Sequence, residues 1–442
     1  MLRAVRLLPP IEGRISSRAI SALLLLMLAS TIAFGGGGPH APRLTLALQV
    51  LALLTVGLFA CRHLPFVALW STVPGWLVAG MLALIALQLV PLPPAIYANL
   101  AGRGPLLTAL LLAGEQRTWR PLSLDPDATR LAAEALLVPL TLLASTLQAD
   151  RATIHLALRA IAGLAVASAL LGLVQIGNTR LLLYQLPPFG LPVGFFANRN
   201  HQADLLLCGI VVLILLAPAA IGRSTTLLLA LAGVVALLAL TILATGSRAG
   251  VALLLPTLAL AWLARRTPAR RGLPLLVVAG PAAAVAAGIA AARLLPQLAA
   301  RFAEGPEQRL LFWPDVVYAI GLHLPWGSGL GTFDLVFRAA ERLDNIAPLY
   351  VNHAHSDYLE LLLETGVLCV PLLIGFLAWF AHMGRRAWRT SGDDAAAARA
   401  ATIMIAVLLL HSAVDYPLRT QALAGVFALA CGALARLSER CP

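Results

Sequence analysis

The sequence predicts an all-α, polytopic transmembrane helix bundle of about 12 spans, with one long outward loop forming a small helical cap. Three observations carry this reading. Hydrophobic residues make up 60% of the 442-residue chain and charged residues 12%, with a mean hydropathy of +0.86. A soluble chain of that length needs far more polar surface to cover its core. Apolar runs of about 18 to 25 residues recur throughout. Arginines, which supply every basic residue, cluster in alternate connections between those runs.

The basic stretch MLRAVRLLPPIEGRISSRAI leads into the first apolar run, 19–35. No small-residue cleavage site follows it, so it reads as an uncleaved first span. The tetraglycine Gly35–Gly38 closes that run as a turn, since no strand–helix unit surrounds it. Further runs lie at 44–61, 70–91, 130–148, 153–175, 201–221, 225–244, 249–264, 273–293, 358–382, 400–414 and 420–436, the one near 70 interrupted by Pro74 and Gly75. With the N-terminus inside, the cytoplasmic connections hold Arg62, Arg151, Arg223, ARRTPARRG (264–272) and GRRAWRTSGDD (384–394), and the C-terminus adds Arg436 and Arg440. That alternation satisfies the positive-inside rule with both ends cytoplasmic.

The outward side then receives the unusual segments: 92–127, GFFANRNHQAD (194–204), GSRAG (246–250), a long loop from about 294 to 356, and HSAVDYPLR (411–419). Amphipathic pieces such as EQRLLFWPDVVYAI (307–320) predict order within the long loop. The expected organisation is therefore spans one to nine in 1–293, the outward loop in 294–356, and spans ten to twelve in 357–442. No internal repeat or separate soluble domain is apparent.

Several function classes are excluded. Dinucleotide-binding glycine patterns, phosphate loops and zinc-ribbon cysteines are absent. The formal charge of +12 reflects sidedness in a lipid bilayer rather than a nucleic-acid partner. Cys61, Cys208, Cys369, Cys431 and Cys441 fall mostly in apolar runs or beside cytoplasmic loops, so no structural disulfide is expected.

Charge beside a lipid-facing helix is costly and commonly functional. The stretch YVNHAHSDYLELLLETGVLCV (350–370) puts two histidines, an aspartate and two glutamates at the mouth of a span. Asp357 and Glu360 have the spacing of a capping box. His353 and His355 precede that cap, and neutral imidazole accepts a hydroxyl proton near pH 7, although a histidine at a helix entrance also serves as a plain hydrogen-bonding residue. His-x-His-x-Asp also resembles a metal-binding pattern, but only His201 and His411 are available as distant further ligands. GSRAG delivers Arg248 to the membrane surface, where its planar fork suits phosphate oxygens or snorkels to headgroups. In GFFANRNHQAD, the groups of Asn198, Arg199, Asn200 and His201 suit sugar hydroxyls and phosphates; an interfacial turn with an aromatic belt is the alternative. In the long loop, Arg309, Trp313 and Asp315 precede PWGSGLGTF (325–333), whose glycines favour a simple loop over a tight backbone approach.

These segments resemble the O-antigen ligase/polymerase family of bacterial membrane proteins. The ligases carry His, then Asn, Ser or Gln, nine residues, Gly, two residues, Gly, and Thr or Val. Here His355 and Ser356 are followed by Asp357 to Thr365, Gly366 and Val370, with Cys369 in place of the second glycine. FFANRNH, GSRAG, PWGSGLGTF and HAHSDYLELLLETG look like the family's other recurring segments, in its order, across roughly 190 to 420.

The resemblance implies a metal-independent, inverting glycosyltransferase without cofactor, multi-pass in the bacterial inner membrane and open to the periplasm. Its donor would be a glycan on undecaprenyl diphosphate. The acceptor would be lipid A–core in a ligase or another lipid-linked glycan in a polymerase. His355 is expected as the base, with His353 second, and Arg248 as the group that stabilises the leaving diphosphate. Arg309, Arg199, Asn198, Asn200, His201, Asn352, Asp357 and Trp313 are the expected substrate contacts. A polytopic solute transporter is the rival from another class, though transporters place ionisable groups near the midplane on repeated helices. Asp393 and Asp394 would serve a cytoplasmic nucleotide-sugar transferase, but they read as a solvated helix start.

Overall fold

The structure, a computed structural model, describes residues 17–38, 41–61, 67–184, 190–218, 221, 224–265, 280–282, 308–346 and 351–438. Apart from one two-residue ladder pairing Pro91–Leu92 with Arg120–Pro121 and one isolated bridge, its regular elements are helices. Among the described residues, eight helices or continuous helix pairs are long and apolar enough to cross a membrane. Ser17–Phe34, Val73–Leu89 and Arg199–Leu215 are shorter helices that cover three more of the expected runs. The run 273–293 lies outside the described residues except for 280–282. The all-α polytopic bundle is thus present, and a count of twelve is not reached among the described residues.

Burial sorts the helices into centre and rim. Gln421–Ser438 is 83% buried and Asp394–His411 67% buried, whereas Pro42–Ala60 is only 22% buried and presents Leu46, Leu53, Leu54 and Leu58 outward. Without a hydrophobic force between helices in lipid, close packing through small residues holds such a bundle. Gly432 approaches Thr146 so closely that a Cβ there would lie 2.8 Å from the threonine's own, and Gly209 sits likewise on Ala165. These contacts seat Gln421–Ser438 on Leu137–Gln148, and Arg199–Leu215 on Arg151–Gly177.

The two ends of the bundle differ. At one end arginines close helices: Arg265 donates to the carbonyls of Ile214, Leu215 and Ala217, and Arg399 donates to Ala264 and Thr390. Both satisfy C-terminal carbonyls that the helices leave unpaired. Asp394 joins this end by pairing with Arg151 at 2.5 Å and His155 at 3.0 Å, so it is engaged in helix packing rather than solvated.

At the other end the loops pack together. Gly36 bridges to Phe196, Ala422 donates to the Gly35 carbonyl, and Tyr184 donates to that of Phe34. The long loop contributes helices Gln308–His323 and Phe333–Ala340, which share a small core of Phe312, Val316, Phe333, Phe337 and Leu363. The expected cap is therefore a packed unit in its described part. PWGSGLGTF is more than the simple loop expected. Gly327, Gly329 and Gly331 have φ of +80°, +115° and +84°, and a Cβ on Gly327 would lie 2.6 Å from the Glu364 carbonyl oxygen. The glycines permit a close backbone approach to the helix that follows the histidines.

Candidate active site

Three helix starts and one helix end converge at the capped end. Asn198 caps Arg199–Leu215 through the amide N–H of Asn200, at 2.8 Å. Gly246, in the left-handed region at φ +65°, ends Thr225–Thr245 and lets the chain reverse within Ser247. Helix Arg248–Arg265 begins immediately, and its Gly250 packs against Ala203. Arg248 and Arg199 therefore open neighbouring helices at the same end of the bundle.

The helix that carries the sequence's acidic residues starts differently from the expected capping box. Ser356, not Asp357, is the N-cap, and its hydroxyl accepts from Leu359 N–H. Asp357 instead accepts from the Ser412 hydroxyl at 2.7 Å and from Leu418 N–H at 3.3 Å. Glu360 accepts from Ala354 N–H at 2.9 Å and meets His353 Nδ1 at 2.8 Å. The reason is Arg419, whose guanidinium draws Glu364, Glu360 and Asp357 inward at 2.9, 3.3 and 3.7 Å.

The loop ahead of this helix bends sharply at His355, the only non-glycine residue with positive φ (+48°) among the described residues. A bulky residue there is held against its backbone preference by its surroundings. Those surroundings are specific. His355 Nδ1 lies 3.0 Å from the His353 carbonyl. Trp313 Nε1 donates to the Ala354 carbonyl at 2.8 Å. The His355 ring packs edge-on to Phe312 at 5.8 Å and Tyr416 at 5.0 Å.

Tyr416 is the hub. His353 lies 4.3 Å from it and His201 5.1 Å, centroid to centroid, while Asn198 and Asn352 interact with its hydroxyl. Beside it Asp415 accepts from Asn200 Nδ2 and from Tyr416 N–H. His411 pairs with Asp204 at 2.5 Å and lies 3.9 Å from Asp415. Arg309 is near enough to act electrostatically on both His355 and Asp415.

Electrostatics separates the two histidines. Burial lowers the pKa of His355, opposed by Asp415 and the His353 carbonyl and aided by Arg309 and the His353 ring, so the ring is neutral near pH 7. Its Nδ1 faces a carbonyl, which can only accept, so Nδ1 carries the proton and Nε2 the lone pair. Burial also pushes His353 down, but Glu360 outweighs it and holds the ring above the usual imidazole value. His355 is thus arranged as a proton acceptor, and His353 as the partner of Glu360, with its protonated form favoured. Burial and Asp415 raise Tyr416, which keeps its hydroxyl protonated.

The expected residues His353, His355, His201, Asn198, Asn200, Asn352 and Arg309 come together around Tyr416 and Asp415. Trp313 and Asp357 lie at its edge and hold backbone rather than face the hub. The donors of the His-x-His-x-Asp pattern turn toward separate partners, and no group of three His, Cys, Asp or Glu converges as metal ligands among the described residues. Tyr416, Asp415 and Arg419 were not anticipated, although their segment HSAVDYPLR had been assigned to this side.

A family model described as O-antigen ligase matches residues 232–380, which contain Arg248, Arg309, His353 and His355. Among curated proteins nothing matches the chain.

Proposed function

We propose that this multi-pass membrane protein, whose residues 232–380 match a family model described as O-antigen ligase, transfers a glycan from undecaprenyl diphosphate to a sugar hydroxyl on the periplasmic face of the bacterial inner membrane. The family supports the coarser statement, a membrane glycosyltransferase of the ligase/polymerase type. The observation that carries the finer reading is His355: a neutral imidazole, fixed in a strained bend with Nε2 available, at the mouth of a membrane helix.

In this reading the acceptor oxygen attacks the anomeric carbon while the bond from that carbon to the diphosphate oxygen breaks. The diphosphate departs with the electron pair, and the acceptor proton passes to His355 Nε2. Attack from the face opposite the leaving group inverts the anomeric centre. Negative charge grows on the diphosphate, and Arg248, with Arg309 and Arg199, stabilises it; fixed cations in a water-poor site are effective because they need no reorganisation. Asn198, Asn200, Asn352 and His201 line the hub as sugar contacts. The cap excludes water from the reacting bond. No metal has a role in this scheme.

Lipid A–core is the proposed acceptor, with a second lipid-linked glycan, as in a polymerase, the alternative. Deletion of the gene followed by gel analysis of surface glycans decides between them. The ligase reading expects loss of capped lipopolysaccharide with long lipid-linked chains retained. Glycan stopping at one repeat unit identifies a polymerase, and an unchanged glycan profile contradicts both.

A further inference from the structure

The site contains a charge arrangement that the transfer step does not use. On helix Asp357–Thr365, Asp357, Glu360 and Glu364 share one face, following the helical period. All three meet the guanidinium of Arg419, and the side chains of Glu360 and Glu364 are 1% and 0% exposed. Buried carboxylates stay charged only where cations and hydrogen-bond donors compensate them. Burial lowers the pKa of Arg419, but these three carboxylates outweigh it and raise the value, so the guanidinium remains a permanent cation.

Glu360 makes the geometry consequential. One of its oxygens meets His353 Nδ1 and the other accepts from Ala354 N–H. Both partners approach as donors, so both oxygens accept, which a carboxylate does strongly at each and a carboxylic acid only weakly at its hydroxyl oxygen. Protonating Glu360 therefore weakens one of the two bonds that fix the turn into His355. Glu364 has the parallel task toward the cap: its Oε1 accepts from Gly331 N–H at 2.8 Å and Phe333 N–H at 3.3 Å. The charged and titratable groups facing Glu360 are His353, Asp357, Glu364, Tyr416 and Arg419. Of these only Arg419 and His353 bring positive charge, and His353 depends on Glu360 for its own.

We propose that Arg419 is a positioning residue: its guanidinium keeps Glu360 charged in the interior and anchors Glu364 beside it, so that Glu360 holds His353 and the Ala354 amide in the bend that presents His355. The proposal rests on His355 being the base of a glycosyl transfer.

The test compares Arg419→Gln, Arg419→Lys and the double variant Arg419→Gln/Glu364→Gln in the reconstituted full chain. Arg419→Gln should lower kcat by about 100-fold, the scale of a displaced general base, with the donor KM within about twofold. Arg419→Lys keeps the charge and should retain activity to within about tenfold. Glu364→Gln removes the second buried carboxylate, which opposes the charge on Glu360 once the guanidinium is gone, while its amide oxygen still accepts from the cap, so the double variant should recover about tenfold over Arg419→Gln. Hydrogen exchange of residues 351–358 supplies a readout independent of turnover: faster in Arg419→Gln, restored in the double variant. Unchanged kcat in Arg419→Gln, or a loss that neither lysine nor Glu364→Gln relieves, overturns the proposal. If Arg419→Gln does not fold, the lysine and double variants against wild type still decide it. If wild type transfers no glycan, the functional reading falls, while the exchange pattern alone upholds or overturns the positioning role.

Discussion

His355 and His353 differ by two positions in sequence and by their charge state in the fold. Because burial sets His355 below its ordinary value of 6.5, transfer should persist below pH 6.5 and fall away only as the ring takes up its proton. Replacing His355 with alanine should reduce kcat by about 10²–10⁴ with donor binding preserved, and a pH–rate profile of wild type checks the limb. A profile whose acid limb already falls away at a pH above 6.5 would point to His353 instead. The histidines were legible because imidazoles ahead of an apolar run lack a bland explanation. Asp415, Tyr416 and Arg419 were not, since each is a single polar residue in a short turn and acquires meaning only from partners on other helices. Ser356 displaced Asp357 as the cap for the same reason: a carboxylate drawn to Arg419 cannot also bind its own helix start.

At the level of elements, the apolar runs translated closely into helices. The interruption at Pro74 and Gly75 became a real break, with Val67–Trp70 ending before Thr72 caps Val73–Leu89. In the glycine segment 325–333 the sequence favours a loop over a tight backbone approach, because such an approach needs a second backbone, and sequence does not say which one comes near. Here it is the end of helix Asp357–Thr365, where Gly366 has φ +60° and a Cβ would lie 2.0 Å from the Pro325 carbonyl oxygen. Gly366→Ala should therefore destabilise the protein by about 1–3 kcal/mol or more, seen as a lower thermal inactivation midpoint in detergent. Gly57→Ala, which meets nothing within 4 Å, should leave that midpoint unchanged. Equal midpoints for the two variants would mean that the junction of cap and helix is not the constraint described.

For the whole molecule, arginine placement and helix packing agree on two distinct ends, one closed by arginine-capped helices and one by the cap and the histidine hub. Orientation in the membrane follows if the arginine-rich end is cytoplasmic. In a chain freed of Cys61 and Cys441, whose remaining cysteines are buried, single cysteines at the exposed positions Ala413 and Ser391 test this. A membrane-impermeant thiol reagent should label position 413 in intact cells expressing the protein with a permeable outer membrane, and position 391 only after the inner membrane is opened. The reverse pattern would put the hub in the cytoplasm and remove the lipid-linked donor. The same two-ended layout speaks against a transporter, whose ionisable groups gather at the midplane; uptake of a solute into vesicles without glycan transfer would restore that reading.

The most direct measurement is turnover by the purified chain in lipid discs, supplied with an undecaprenyl-diphosphate glycan and an acceptor sugar in the presence of chelator, with released undecaprenyl diphosphate and elongated acceptor quantified together. Wild type should form both products in equal amounts, and His355→Ala and Arg248→Ala should each form them at least about 100-fold more slowly while remaining folded. Product formation by both variants at the wild-type rate, or none by wild type with authentic donor and acceptor, would contradict the account.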